Sequence, residues 1–229
     1  MENKYFRFKK ELAELIGIII GDGNIYYKPE FRKYYFEITG DPNLEVDYFN
    51  YISDLVYKIL RKRPSIRFGR GLMLRLYSKE FVEFLINVIK LPHGRIKGSS
   101  VTIPKYVESR NWNTLKLCIR GITDTDGSLF LSKKSHRNDY PCIEISTISK
   151  SLAFQLKKLL ESKYRIGFRL QSKSGLTDRY IISVNGDNMV NKWIKDIGFS
   201  NKRKIKCMGQ EGFEPSTSRA SVSPMASHN

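Results

Sequence analysis

The sequence predicts an α+β chain that builds one αββαββα unit twice. Three observations predict it. The stretch LIGIIIGDGNIYY (15–27) has a counterpart, CIRGITDTDGSLF (118–130), in which Asp126 follows Asp22 by 104 residues. Each stretch is followed by the same series of periodicities: two strands, an amphipathic helix, two more strands and another helix. Within the strands, apolar and polar residues alternate. That is the pattern of antiparallel sheets with one face on helices and one in water.

The elements follow in order. After GDGNIYY, residues 33–39 (KYYFEIT) read as a strand. Tyr48, Phe49, Ile52, Leu55, Val56, Ile59 and Leu60 then recur at three- and four-residue steps, one apolar helical face. SIRFG (65–69) and LMLRLYS (72–78) read as strands, and KEFVEFLINVIKL (79–91) as a helix. The second half replays this with TDGSLFLSKK (125–134), CIEIST (142–147), and a helix with Leu152, Leu156, Leu159 and Leu160 on one face. YRIGFRLQSK (164–173), RYIISVN (179–185) and the helix NMVNKWIKDIGF (188–199) complete it. The first repeat is therefore expected over 1–91 and the second over 115–207. A connector rich in Gly, Pro and Ser covers 92–114. Residues 208–229 lack periodicity and are expected to be a disordered tail.

Composition narrows the partners. The 229 residues are 41% hydrophobic, enough for a sizeable core. Lys and Arg number 40 against 23 Asp and Glu, a formal charge of +17, with a pI near 9.8. Such an excess points to a polyanion, usually nucleic acid. No apolar run approaches the roughly 20 residues of a membrane span. The start, MENKYFRFKKELAEL, lacks the apolar core of a signal peptide. No membrane partner and no secretion are expected. Cys118, Cys142 and Cys207 form no CxxC pair and read as reduced thiols; three scattered histidines offer neither a zinc site nor a His catalyst.

Strand alternation locates the charge. One face of each sheet collects Arg, Lys, Gln, Ser and Tyr: Lys33, Tyr35, Arg67, Arg70, Arg75 and Tyr77 in the first half. Lys134, Arg165, Arg169, Gln171, Lys173, Arg179 and Ser183 follow in the second. A basic ribbon of this kind fits a DNA major groove, where Arg and Gln read base edges and Lys and Arg meet phosphates.

The repeated aspartates carry the chemistry. Gly17 and Gly21 lie on one helix face, as do Gly121 and Thr125, so small residues let two helix backbones approach. Each helix is expected to end in a left-handed cap at Gly23 or Gly127. Asp22 and Asp126 then stand at the C-terminal ends of two touching helices, where helix dipole and like charge both oppose them. A cation answers that cost. Hard oxygen ligands suit Mg²⁺, and two carboxylates beside a basic groove fit phosphodiester hydrolysis by metal-activated water. A lone GDG is also a plain turn signal; the duplication argues against that reading.

LIGIIIGDG and IRGITDTDG resemble the two motifs of a single-chain LAGLIDADG homing endonuclease, of the archaeal or organellar intron-encoded type. The resemblance covers residues 10–207. It implies two units related by a pseudo-twofold axis, with the motif helices packed at the centre and the sheets forming a saddle on DNA. It further implies double-strand cleavage of a long asymmetric site across the minor groove, by a monomer in a prokaryotic or archaeal cytoplasm at the nucleoid or in an organellar matrix. The cofactor would be Mg²⁺, with Mn²⁺ able to substitute and Ca²⁺ supporting binding without cleavage. By the same resemblance Asp22 and Asp126 bind metal, and the carbonyls of Gly21 and Thr125 add backbone ligands. Lys97, in LPHGRIKGSSVTIP, matches the family's active-site lysine of the first half. Lys204, in GFSNKRKIK, is the second-half choice, with Lys202 next. Where some relatives carry Gln after the second strand, this chain has Gly40 and Thr147. Two other readings use the same scaffold: an intron maturase whose partner is RNA, and a DNA-binding regulator without catalysis.

Overall fold

The structure is a computed structural model and describes residues 10–94, 97–134, 137–172 and 177–206. The expected tail, together with Cys207, Lys173 and the side chain of Lys97, lies outside the described residues.

Two helices form the centre. α1 (Lys10–Ile20) is apolar almost all round, with Leu12, Ala13, Leu15, Ile16, Ile18 and Ile19 buried, as a helix enclosed by protein requires. Its partner, α6, spans Trp112–Asp126, and Asn111 caps it by accepting from the Thr114 N–H at 3.1 Å. Between them the first half contributes β1 (Gly23–Lys28), β2 (Lys33–Gly40), α2 (Val46–Leu60), β3 (Ser65–Phe68), β4 (Leu72–Tyr77) and α3 (Lys79–Asn87). Two short helices follow in the connector, α4 (Lys97–Ser100) and α5 (Lys105–Glu108). After α6 come β5 (Gly127–Lys134), β6 (Arg137–Thr147), α7 (Lys150–Glu161), β7 (Ile166–Gln171), β8 (Arg179–Asn185), α8 (Asp187–Asp196) and α9 (Lys202–Lys206).

The two sheets have one topology. The first runs β1-β2-β4-β3 and the second β5-β6-β8-β7, antiparallel throughout. Even the register repeats: Gly23 faces Ile38 across β1–β2, and Gly127 faces Ile145 across β5–β6. Phe36, Ile38, Leu72 and Leu74 turn to the helices in the first half, and Ile143, Ile145, Ile182 and Val184 in the second. The α+β architecture with a central two-helix interface is as expected.

The structure differs from expectation in detail. The connector holds two short helices, and α6 starts at Trp112, inside the stretch read as linker. Phe68 and Leu170 alternate onto core faces yet are exposed, and both stand on edge strands, β3 and β7. Ile181 alternates onto the polar face yet is buried, flanked by Arg169 in β7 and Ser146 in β6. The glycine caps are a clearer correction. Neither Gly23 nor Gly127 has positive φ, and Gly127 is extended at φ −98°. Glycine is needed there for space: a Cβ at Gly23 would lie 2.5 Å from the Ile19 Cα, and one at Gly127 would lie 2.4 Å from the Thr123 carbonyl oxygen.

The helix seam depends on the same economy. A Cβ on Gly17 would stand 2.1 Å from the Cys118 carbonyl oxygen, and one on Gly121 would stand 2.4 Å from that of Glu14. Backbone thus meets backbone, and neither side can yield. Gly17→Ala and Gly121→Ala are each expected to destabilise the fold by at least about 1–3 kcal/mol, the usual cost of overpacking. Urea denaturation checks this, and a midpoint equal to wild type would contradict the seam.

Candidate active site

The seam delivers the two motif aspartates to one place. A Cβ on Gly21 would fall 2.0 Å from Thr125 Oγ1 and 3.4 Å from Asp126 Oδ2, so the ends of α1 and α6 touch. Asp22, in the turn after α1, is exposed; Asp126, the last residue of α6, is half-buried. Thr125 is half-buried between them, and its hydroxyl donates to its own helix, 2.9 Å from the carbonyls of Gly121 and Ile122. Two helix C-termini and two carboxylates therefore concentrate negative charge at one open point. A cleft of about 540 Å³ opens beside it, lined by Gly21, Gly23 and Asp126 with Thr147 and Arg179.

These donors fit a hard divalent cation. They are carboxylate oxygens and helix-end carbonyls beside an open cleft with room for water, the kind of set Mg²⁺ takes. Among the described residues no cluster of three His, Cys, Asp or Glu side chains occurs, so water and backbone would complete any coordination.

Two segments cross between the halves near this point. Gly98, next to Lys97 in α4, lines the same cleft and approaches Ile148 of the second half. The segment after it is pinned there: Ser149 Oγ donates to the Val101 carbonyl at 2.7 Å, and Gln155 bonds both backbone groups of Ile103. α9 makes the reverse journey. Asn201 Nδ2 donates to Glu45 Oε1 at 3.1 Å, and Arg203 pairs with the same carboxylate at 3.5 Å, both on the first half. Lys204 is thereby half-buried, and its ammonium donates to the Gly127 carbonyl at 2.5 Å, one residue from Asp126. Burial lowers its pKa, while Glu45, Asp124 and Asp22 act to raise it. Lys202 is exposed at the start of α9.

Behind the aspartates lies a polar network that the sequence did not announce. Glu14, in the middle of apolar α1, is buried; it accepts from Arg120 of α6 at 3.1 and 2.5 Å, from Tyr51 at 2.8 Å and from Ser200 at 2.6 Å. Burial and Glu14 push the Tyr51 hydroxyl up to about 12. Asp124, also buried, accepts the Ser200 N–H on Oδ2 at 2.9 Å; its Oδ1 has no hydrogen-bond partner among the described residues. Desolvation by burial pushes its pKa up to about 7, against the backbone hydrogen bonds that lower it. The signal for this network was a charged residue at a core position, Glu14 within LAELIGIII.

The expected nucleic-acid residues fall on two surfaces. Lys33, Tyr35, Arg75 and Tyr77 share the first sheet's open face, and Arg67 and Arg70 line a shallow groove at its β3–β4 end with Met73. Arg169, Gln171, Arg179 and Ser183 share the second face; Lys134 lies 5.3 Å over the Tyr140 ring at the far end of β5. Arg165 is exposed but precedes β7 by one residue, because Tyr164 turns inward to bond Asp196 at 2.9 Å. Both faces also carry a carboxylate, Glu37 and Glu144, among the Arg, Lys, Gln, Ser and Tyr that were expected.

Asp124 gives a pH prediction. Its folded pKa lies above the unfolded one near 3.9, so its contribution favours folding below about pH 4 and is lost as pH rises through 7. In metal-free buffer, wild-type stability should fall between pH 5 and 7 more steeply than that of Asp124→Asn. The excess slope is at most about 1.4 kcal/mol per pH unit. Urea titrations across that range check it, and parallel curves would contradict a buried, protonated Asp124.

Comparison with known proteins agrees with the fold. Residues 113–198 match the model of the LAGLIDADG-like domain. Over 202 residues, 87% of the chain, the sequence is 29% identical to the replication factor C small subunit of Methanocaldococcus jannaschii and spans 10% of that protein's length. Among solved structures, I-DmoI in complex with its nicked target DNA and Mn superposes with a TM-score of 0.58 at 19% identity, covering 82% of this chain and 95% of that one. The homing endonuclease I-WcaI bound to its DNA recognition sequence gives 0.56 at 14% identity, over 87% and 86%. The N-terminal LAGLIDADG domain of WhiA gives 0.52 at 14%, over 88% and 89%. The chain thus carries a LAGLIDADG-like domain over 113–198 and, through both halves, the fold of the LAGLIDADG homing endonucleases.

Proposed function

We propose that this chain is a site-specific, Mg²⁺-dependent double-stranded DNA endonuclease of the intron-homing kind. The observation that carries this reading is the convergence of Asp22 and Asp126 at the touching ends of α1 and α6, between two basic sheet faces. Asp22 and Asp126 would hold the divalent ion, with the Gly21 and Thr125 carbonyls at the same helix ends. A bound Mg²⁺ supplies an activated water and neutralises charge on the phosphate.

The chain's own residues do the rest. Lys204, held on the Gly127 carbonyl beside Asp126, is suited to stabilise negative charge developing on a phosphate. Lys97 is assigned the same part from the connector. Arg179 lines the cleft with Asp126 and fits a neighbouring phosphate. The sheet faces supply phosphate contacts that position the duplex, and their Arg, Gln and Ser side chains read base edges. Because the two halves differ in sequence, the site they read is asymmetric.

WhiA supports a second reading, since a LAGLIDADG domain also occurs there. On that reading the chain binds DNA as a regulator without cutting it, and the paired aspartates have no task.

Cleavage of an intronless host allele, or of a duplex selected from a random library, separates the two. Asp22→Asn and Asp126→Asn should each abolish double-strand cleavage in Mg²⁺ and leave binding in Ca²⁺ within a few-fold of wild type. Full cleavage by either variant would refute the site. Lys204→Met should slow cleavage by about ten-fold or more, the scale of a lost charge stabiliser, without weakening binding to match. Binding should also weaken steeply with salt, with a log–log slope near −0.9 per phosphate contacted; a flat response would remove the basic faces from the interface.

A further inference from the structure

A surface that receives a polyanion has no evident use for carboxylates, yet each open sheet face presents one. Glu37 in β2 lies opposite Asn24 of β1, one step from the Gly23–Ile38 pair. Glu144 in β6 lies opposite Ser128 of β5, one step from the Gly127–Ile145 pair. The two acids therefore sit at the same register from the two motif aspartates. Each holds an arginine of its own face. Arg75 Nε and Nη2 donate to Glu37 Oε2 at 3.0 and 2.6 Å, and the guanidinium lies 4.4 Å over the Tyr35 ring. Arg169 Nη2 donates to both oxygens of Glu144, at 3.0 and 3.1 Å.

Charge makes this costly on a phosphate-binding face, because a carboxylate repels the backbone it is meant to meet. The exocyclic amino donors of the major groove reward it, and arginine beside the acid decides between them. In the major groove the cytosine N4 amino group is the donor that Glu accepts, and the guanine paired with it presents O6 and N7 to arginine. A Glu–Arg pair on one face is complementary to both halves of one C·G pair. Thymine in cytosine's place would set O4 against the carboxylate, acceptor to acceptor; adenine there would keep an N6 donor for Glu but leave arginine thymine O4 alone in place of guanine O6 and N7. Glu37 also keeps spare acceptor capacity: Asn24 Nδ2 takes Oε1 at 3.3 Å, and the arginine uses only Oε2.

We propose that Glu37–Arg75 and Glu144–Arg169 are specificity-determining pairs, each reading one C·G base pair, at equal distances on the two sides of the cleavage centre. This rests on the reading of the chain as a sequence-specific DNA-binding nuclease.

The test is selection of targets from a random duplex library by full-length protein in Ca²⁺, followed by mapping of the cut in Mg²⁺. Wild type should enrich a site with one fixed C·G pair in each half, equidistant from the cut. Glu37→Gln should relax the preference by about ten-fold at one of these positions only, the discrimination of one good base contact. Glu144→Gln should do the same at the other. Arg75→Ala and Arg169→Ala should lose the guanine preference at the same two positions. Thermal unfolding confirms that each variant is folded; should Glu37→Gln unfold, the more exposed Glu144–Arg169 pair decides. Unchanged preferences, relaxation at A·T positions, or unequal distances from the cut would overturn the inference while leaving the nuclease intact. A wild-type protein that enriches no target overturns both.

Discussion

The close approach of α1 and α6 is the constraint on which the rest depends. With Gly17 against the Cys118 carbonyl and Gly121 against that of Glu14, the two backbones leave no room for a single added methyl. Glycine gives up conformational entropy in a helix, about 0.5–1 kcal/mol each relative to alanine. What that cost secures is position. Only when the helix ends touch can carboxylates from opposite halves of the chain share one site.

Sharing it creates an electrostatic problem that the surrounding structure is arranged around. Two carboxylates at two helix C-termini disfavour one another and the folded state. Positive charge arrives through a crossing segment: α9 reaches back to Glu45 and brings Lys204 to the Gly127 carbonyl, while α4 crosses the other way to Ile148. Lys204 arrives at the Gly127 carbonyl because Ser200 and Asn201, just ahead of it, are fastened to Asp124, Glu14 and Glu45. The network behind the site therefore joins the seam to the lysine. Removing one partner would leave a buried charge uncompensated, which is why such networks are sensitive to single changes.

The open faces follow a different logic from the centre. Their basic residues attract a phosphate backbone whatever else they contact, whereas their two acids subtract attraction and can only be repaid by a donor in the right place. In the first half Arg75 is held by Glu37, Tyr35 and Tyr77 together; in the second, Arg169 of the edge strand β7 reaches across β8 to Glu144 of β6 and is more exposed. One fold thus presents two differently tuned surfaces.

Periodicity and duplication by themselves determined the α+β architecture, the order of its elements, the pairing of Asp22 with Asp126 and the small residues of the seam. These are local or repeated properties, visible wherever 3.6- or 2-residue spacing recurs. Tertiary structure alone decided that Glu14 and Asp124 are buried, that α9 crosses to the first half, that Glu37 and Glu144 hold arginines, and that Gly23 and Gly127 serve space rather than a left-handed turn. Each of those depends on what a side chain meets from a distant part of the chain. A glycine's missing Cβ or a glutamate's partner leaves no periodic trace, because it is the neighbour, not the spacing, that gives the residue its work.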